Sequence, residues 1–292
     1  MKRIIKVVMT LALAGFFGFA AEAQEEVNKA IELFNQGIAG LESKNYDEAI
    51  AKINEAYALV ASSPEGSEEV KANLEKLIPQ AYSAKAKSKL SNKQFVEAID
   101  DFKEAAEVAK KFNNTEVAAD ALENIPMAYL GQASQLLDEG KNAEAIVSVD
   151  KTIEADSANP QAYLIKGVAQ MKLSDNAKAI KTFEKAVTVA KGANNASVET
   201  QATNQLSQIY LKDAAAAQKT KKWNDVIKNA EKSIEYKESS NALKLIDLAN
   251  YQLGASLQAT NKAKACEYFK KVKSDPQIKG LADTAIKTLG CK

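Results

Sequence analysis

The chain has 292 residues, 46% apolar, 26% charged and 7% aromatic, with 12 Gly and 5 Pro; so little Gly and Pro beside so much Ala, Lys and Glu excludes a turn-rich sandwich or barrel and points to helices. The 39 basic and 38 acidic residues leave a net charge of +1, there is no His, and Arg3 is the only Arg. These absences rule out His-dependent nucleophile systems, His-ligated metal sites and the guanidinium fork that grips a carboxylate or phosphate.

In chain order, Lys2, Arg3 and Lys6 precede the apolar stretch Val7–Phe19, and Ala21-Glu22-Ala23 follows with small residues where a signal peptidase reads. The pattern predicts a cleavable signal peptide over residues 1–23. The apolar run is too short to span a bilayer. The expected mature chain is exported to a periplasm, or secreted or attached to a cell envelope, and lacks Arg altogether.

A short phrase then recurs. It reads Asn45-Tyr46-Asp47-Glu48-Ala49-Ile50, Gln94-Phe95-Val96-Glu97-Ala98-Ile99, Asn142-Ala143-Glu144-Ala145-Ile146, Asn176-Ala177-Lys178-Ala179-Ile180 and Trp223-Asn224-Asp225-Val226-Ile227. Twelve residues before each anchor stands a small residue: Gly37, Ala86, Ala133, Gly167 and Ala214. Pairs such as Ile53 and Ala56, Phe102 and Ala105, Phe183 and Ala186 follow at helical spacing. The period describes two helices per unit, crossing at small residues and filled by larger apolar ones.

These residues resemble the tetratricopeptide repeat family, best over Pro160 to Ala190, where Tyr163, Gly167, Ala179, Phe183 and Ala186 fall in register. A degenerate sixth unit opens at Tyr251-Gln252-Leu253-Gly254 and closes at Ala265 and Phe269, its turn one residue short. The resemblance implies an all-α, right-handed superhelical solenoid of antiparallel helix pairs. About six repeats span residues 24–274, followed by a capping helix and tail over 275–292.

From anchor to anchor the spacings are 49, 47, 34 and 47 residues, then about 40. The long units share an insert: Glu69-Val70 to Ile78-Pro79 parallels Glu116-Val117 to Ile125-Pro126, and Val198–Tyr210 is a third copy without the proline. Each insert is expected to extend its first helix backwards by two or three turns, with Pro79 and Pro126 kinking or restarting it. Thr115 and Ser197 read as helix caps, and Pro276–Leu289 as the helix that covers the end of the array.

The function classes narrow accordingly. Acidic residues alternate with Lys on helix faces, the pattern of a solvated surface. No phosphate loop or nucleophile elbow is present, so the chain is read as neither an enzyme nor a cofactor or metal binder. The Lys219–Lys222 and Lys270–Lys273 clusters are too short to read as nucleic-acid binding. Cys266 and Cys291 could form a disulfide in an exported chain, although an ideal helix pair leaves them offset by roughly 10 Å, too far to bridge. Asp156-Ser157-Ala158 and Asp283-Thr284-Ala285 resemble the O-glycosylation sequon of some envelope bacteria.

The family binds its ligands on the concave face of the first helices. Register places Phe34, Ile38 and Leu41 there, then Gln80, Ser83 and Lys87, then Met127, Leu130 and Ser134. Gln161, Leu164, Val168 and Met171 follow, and Gln208, Leu211 and Gln218 complete the series. The family's carboxylate-clamping Lys and Asn are missing, so the expected groove takes an apolar peptide. Leu164, Val168 and Met171 are its expected centre. The chain is therefore expected to be an exported interaction scaffold for a protein or peptide. The alternatives are a structural subunit of an envelope assembly and a glycan-binding protein.

Overall fold

The computed structural model describes residues 21–62 and 66–292, with the side chains of residues 21–23 also left aside. The signal-peptide reading lies outside the described residues, save the backbone of its last three. Among the described residues every regular element is a helix. In order they are α1 (Ala21–Glu42), α2 (Tyr46–Ala61), α3 (Glu68–Ser91), α4 (Phe95–Lys111), α5 (Thr115–Asp138), α6 (Asn142–Ala155) and α7 (Pro160–Lys172). They continue with α8 (Asn176–Gly192), α9 (Ala196–Lys219), α10 (Trp223–Tyr236), α11 (Ser240–Leu257), α12 (Lys262–Lys270) and α13 (Pro276–Leu289). The odd-numbered helices are the first members of six pairs, and α13 follows the last pair.

The helices form two compact units, the first running to Asp138 and the second from Glu139, with Glu154–Asp156 grouped with the first. In the first unit α1 packs on α2, α2 on α3, α3 on α4 and α4 on α5, while α1 also touches α3 and α3 touches α5. In the second, α7 packs on α8, α8 on α9, α9 on α10, α10 on α11 and α11 on α12. Helices α3, α9 and α11 thus each meet their own second helix, the preceding second helix and a neighbouring first helix. That is how a repeat too thin to bury its own apolar face completes a core.

The inserts account for the helix lengths. Helices α3, α5 and α9 each have 24 residues, whereas α7 has 13. The added turns carry apolar stripes at i, i+4: Val70, Leu74 and Ile78 in α3, and Val198, Ala202 and Leu206 in α9, all buried. Those of α3 pack with Val60 and Ile53 of α2, and those of α9 with Ala186 and Ala190 of α8. Pro79 and Pro126 lie inside continuous helices, neither of which restarts. Each withholds one N–H from the carbonyl four residues back, a loss confined to one rung.

The turns are nearly superposable in chemistry. Lys44, Lys93, Ser174 and Lys221 hold positive φ between first and second helices, as do Asn113 and Asn194 between second and first. The next residue's N–H then returns to a carbonyl five residues back, as in Gln94 to Lys89 (3.0 Å), Asp175 to Gln170 (3.0 Å) and Asn195 to Ala190 (2.8 Å). The caps are Asn114 and Asn195, whose side chains accept from the N–H of Val117 and Val198 at 3.1 Å. This corrects the assignment to Thr115 and Ser197. In each Asn-Asn pair the first residue takes the left-handed position and the second caps the helix.

Candidate peptide-binding cleft

The expected groove residues divide by depth. Phe34 and Leu164 are corrections: they are 3% and 5% exposed and belong to the core. Phe34 sits with Ile50, Ile53, Leu74 and Ile78, and Leu164 with Phe183, Leu206 and Ile209. The extension and first turns of the following long helix cover both. Ile38 and Leu41 are half-buried on the same cluster as Phe34. Ser83 is buried and donates to Asp120 at 3.2 Å, and Lys87 pairs with the same carboxylate at 2.7 Å. In the first unit these second-repeat positions are therefore spent on contact with the insert of α5. Leu130 is half-buried, while Ser134 and Met127 are exposed.

In the second unit the separation between α7 and α9 leaves an open cleft of about 310 Å³. Met171, Ser174 and Asn176 line one side, and Gln208, Ile209 and Lys212 the other. Of the expected residues, Met171 and Gln208 meet there. Val168 is half-buried and packs with Met171 on the core below. Leu211 lies half-buried on a different cluster, against Ala214, Ala230 and Ala242, and Gln218 is half-buried further along α9. Ser174, Asn176, Ile209 and Lys212 went unread. Lys212 stands four residues after Gln208, on the same helix face, and that spacing could have found it.

The cleft offers a thioether and an isoleucine as its apolar floor, amides and a hydroxyl as hydrogen-bonding edges, and one ammonium group. Such a set binds an apolar side chain and the polar backbone beside it. Among the described residues no three His, Cys, Asp or Glu side chains stand close enough to hold a metal ion.

Charged groups elsewhere serve packing. Lys85 bridges Asp47 at 2.9 Å and Asp101 at 3.4 Å, joining α3 to α2 and α4. Hydrogen bonding to Lys85 holds the Asp47 carboxyl below its ordinary value, while burial pushes Asp101 up against the pull of Lys85. Tyr236 donates to Glu184 at 2.9 Å and stacks on Tyr210 at 6.0 Å; burial, then that hydrogen bond, raises its phenol.

Cys266 and Cys291 are joined by a disulfide with Cα atoms 5.7 Å apart, so the offset expected of an ideal helix pair is wrong. Helix α12 ends at Lys270, and α13 ends at Gly290 in a left-handed turn that folds Cys291 back. Of the two sequons, Ser157 is exposed, whereas Thr284 spends its hydroxyl on the Gly280 carbonyl at 2.9 Å.

A family model described as tetratricopeptide repeat matches residues 130–196, from the second half of α5 into α9. That segment carries a tetratricopeptide repeat. The match takes in Met171, Ser174 and Asn176 of the cleft. No curated protein sequence matches the chain. Solved structures similar to it include YrrB, a TPR protein with an unusual peptide-binding site, at 20% identity over 57% of this chain and 90% of that one, TM-score 0.26. Pseudomonas aeruginosa pilF is 13% identical over 92% and 98% of the two chains, TM-score 0.27. A tetratricopeptide repeat protein from Parabacteroides merdae is 13% identical over 90% and 99%, TM-score 0.24. Among the described residues of this chain no helix is long and apolar enough to cross a membrane.

Proposed function

We propose that this repeat protein is an exported interaction scaffold that receives an apolar segment of a partner protein between α7 and α9, with no chemistry of its own. The observation that carries the reading is the open cleft of Met171, Ile209, Gln208 and Lys212. It lies between successive first helices, where a stack of helix pairs presents side chains that no neighbouring repeat covers. Export is supported by the basic and apolar N-terminal pattern of residues 2–23 and by a disulfide, which persists in oxidising compartments.

A photocrosslinking residue placed at Met171 or Gln208 in the native host tests the reading. It should trap a discrete partner band that is absent when the same group replaces exposed Lys181 on α8. Identical bands from all three positions would refute it. Met171→Glu, which places a charge on the apolar floor, should abolish the band without loss of helicity.

A further inference from the structure

The turns between first and second helices contain an uneconomical residue choice. Lys44, Lys93 and Lys221 sit at φ 63°, 60° and 56°, a backbone region that penalises a Cβ and favours glycine. Where a sequence departs from the local rule without a packing gain, the side chain itself is the thing retained.

In the second unit the consequence is an edge of like charge. Helices α9 and α11 are both antiparallel to α10, on which both pack, so their C-terminal ends emerge on one side. Lys219, Lys221 and Lys222 lie at the first of these ends, Lys262 and Lys264 at the second, and all five are exposed. Asp225 is the acidic residue of these two turns. The N–H groups opening α10 receive no side-chain cap. Half-buried Trp223 follows Lys222 directly.

We propose that this edge is a docking surface for anionic phospholipid headgroups, holding the repeat protein on a membrane surface without crossing it. Three observations favour a lipid layer over a folded acidic partner. The charges fall at two separate junctions, α9–α10 and α11–α12. All are lysines, hydrated point charges without the planar fork of a specific phosphate site. An indole stands among them, as it does at bilayer interfaces. Each lysine near an anionic surface improves partitioning roughly fivefold. Neither Met171 nor Gln208 belongs to this edge, so it can succeed or fail independently of the cleft.

The test is co-sedimentation of the full chain with vesicles of phosphatidylcholine alone or with about 30 mol% phosphatidylglycerol. Every variant keeps the same N-terminus, whose apolar stretch contributes equally to all. The protein should pellet more strongly with anionic vesicles than with phosphatidylcholine alone, and the excess should be lost when salt rises from about 0.05 to about 0.5 M. Replacing Lys219, Lys221, Lys222, Lys262 and Lys264 by Gln should weaken partitioning by on the order of 100-fold or more. Lys221→Gly separates charge from folding: it should raise the melting temperature while cutting partitioning roughly fivefold. Equal pelleting with both vesicle types overturns the proposal, as does binding indifferent to these substitutions. Capture by soluble polyglutamate without capture by vesicles also overturns it, and assigns the edge to an acidic polymer.

Discussion

A Cβ built on Gly167 of α7 would stand 2.6 Å from Cε1 of Phe183 in α8, well inside ordinary contact. The last pair repeats the arrangement, with Gly254 facing Phe269 at 2.8 Å, although its turn has four residues, 258–261, against three, 173–175. The contact between backbone and ring, and not the length of the turn, sets the crossing of these helices.

Gly167→Ala should therefore destabilise the protein by about 1–2 kcal/mol, since overpacking outweighs the gain in helix propensity. Gly280, in the middle of α13, meets nothing within 4 Å of an added Cβ. Gly280→Ala should stabilise by about 0.5–1 kcal/mol. Urea unfolding of the two variants beside the wild type checks the contrast; equal effects would remove the steric explanation.

Leu164 and Met171 should part company. Leu164 is packed against Phe183, Leu206 and Ile209, and Leu164→Ala should cost about 2–5 kcal/mol. Leu164→Glu should unfold its unit, because a carboxylate there has no partner to offset its desolvation. Met171→Glu points into the open cleft and should leave the circular dichroism spectrum intact, with melting lowered by a few degrees at most. If both glutamates are tolerated, the boundary between core and cleft is misplaced.

That pair also shows where the sequence was readable. The helical period placed Gly167, Ala179, Phe183 and Ala186 correctly because their spacing is fixed within one repeat. The 24-residue first helices were equally legible, since the inserts carry the apolar stripe of Val198 and Leu206 in the sequence itself. Register gave Leu164 its angle around α7 but not its depth. Depth depends on how closely α9 leans on α7, which no local pattern encodes. Lys212 was hidden for the same reason: a lysine on a helix surface becomes part of a cleft only through what stands opposite. The Cys266–Cys291 bond escaped because α12 is nine residues long, and an ideal-helix construction ran it on beyond its actual end.

The triad of Asp47, Lys85 and Asp101 gives a pH prediction. The native carboxyl of Asp101 titrates above its ordinary value because burial outweighs Lys85. The native state then binds a proton that the unfolded state lacks, so this group's contribution to stability falls as pH rises through the native value. Asp47 runs the other way: its stabilisation is present above the unfolded value and is lost as pH falls through the lowered native one. Asp101→Asn should flatten the first dependence only. Its stability relative to the wild type should decline as pH is lowered from 7 toward the ordinary carboxylate range. A constant difference across that interval would show that Asp101 is not raised.

Asp247 is the hinge pin of the C-terminal cap. Its side chain, 2% exposed on α11, accepts from the backbone N–H of Lys273 at 2.9 Å, of Ser274 and of Asp275 at 2.6 Å. Asp275 in turn caps α13 by accepting from Gln277 at 3.0 Å and Ile278 at 3.1 Å. The disulfide fastens the other end of α13 to α12. Asp247→Ala removes the shared acceptor of three backbone N–H groups in a turn whose Lys273 and Ser274 are exposed and should cost about 1–3 kcal/mol. Asp247→Asn, keeping an acceptor, should cost less. Reducing the disulfide, whose cysteines are 25 residues apart, should cost about 3 kcal/mol by loop entropy. If the two fastenings hold the same helix, their effects will not be additive: once α13 has left, the second loss has little to release. Hydrogen exchange localises the outcome. Either change alone should deprotect Ile278–Leu289 while the amides of α7 and α8 stay protected, and a uniform rise across the second unit would mean that α13 is integral to the array.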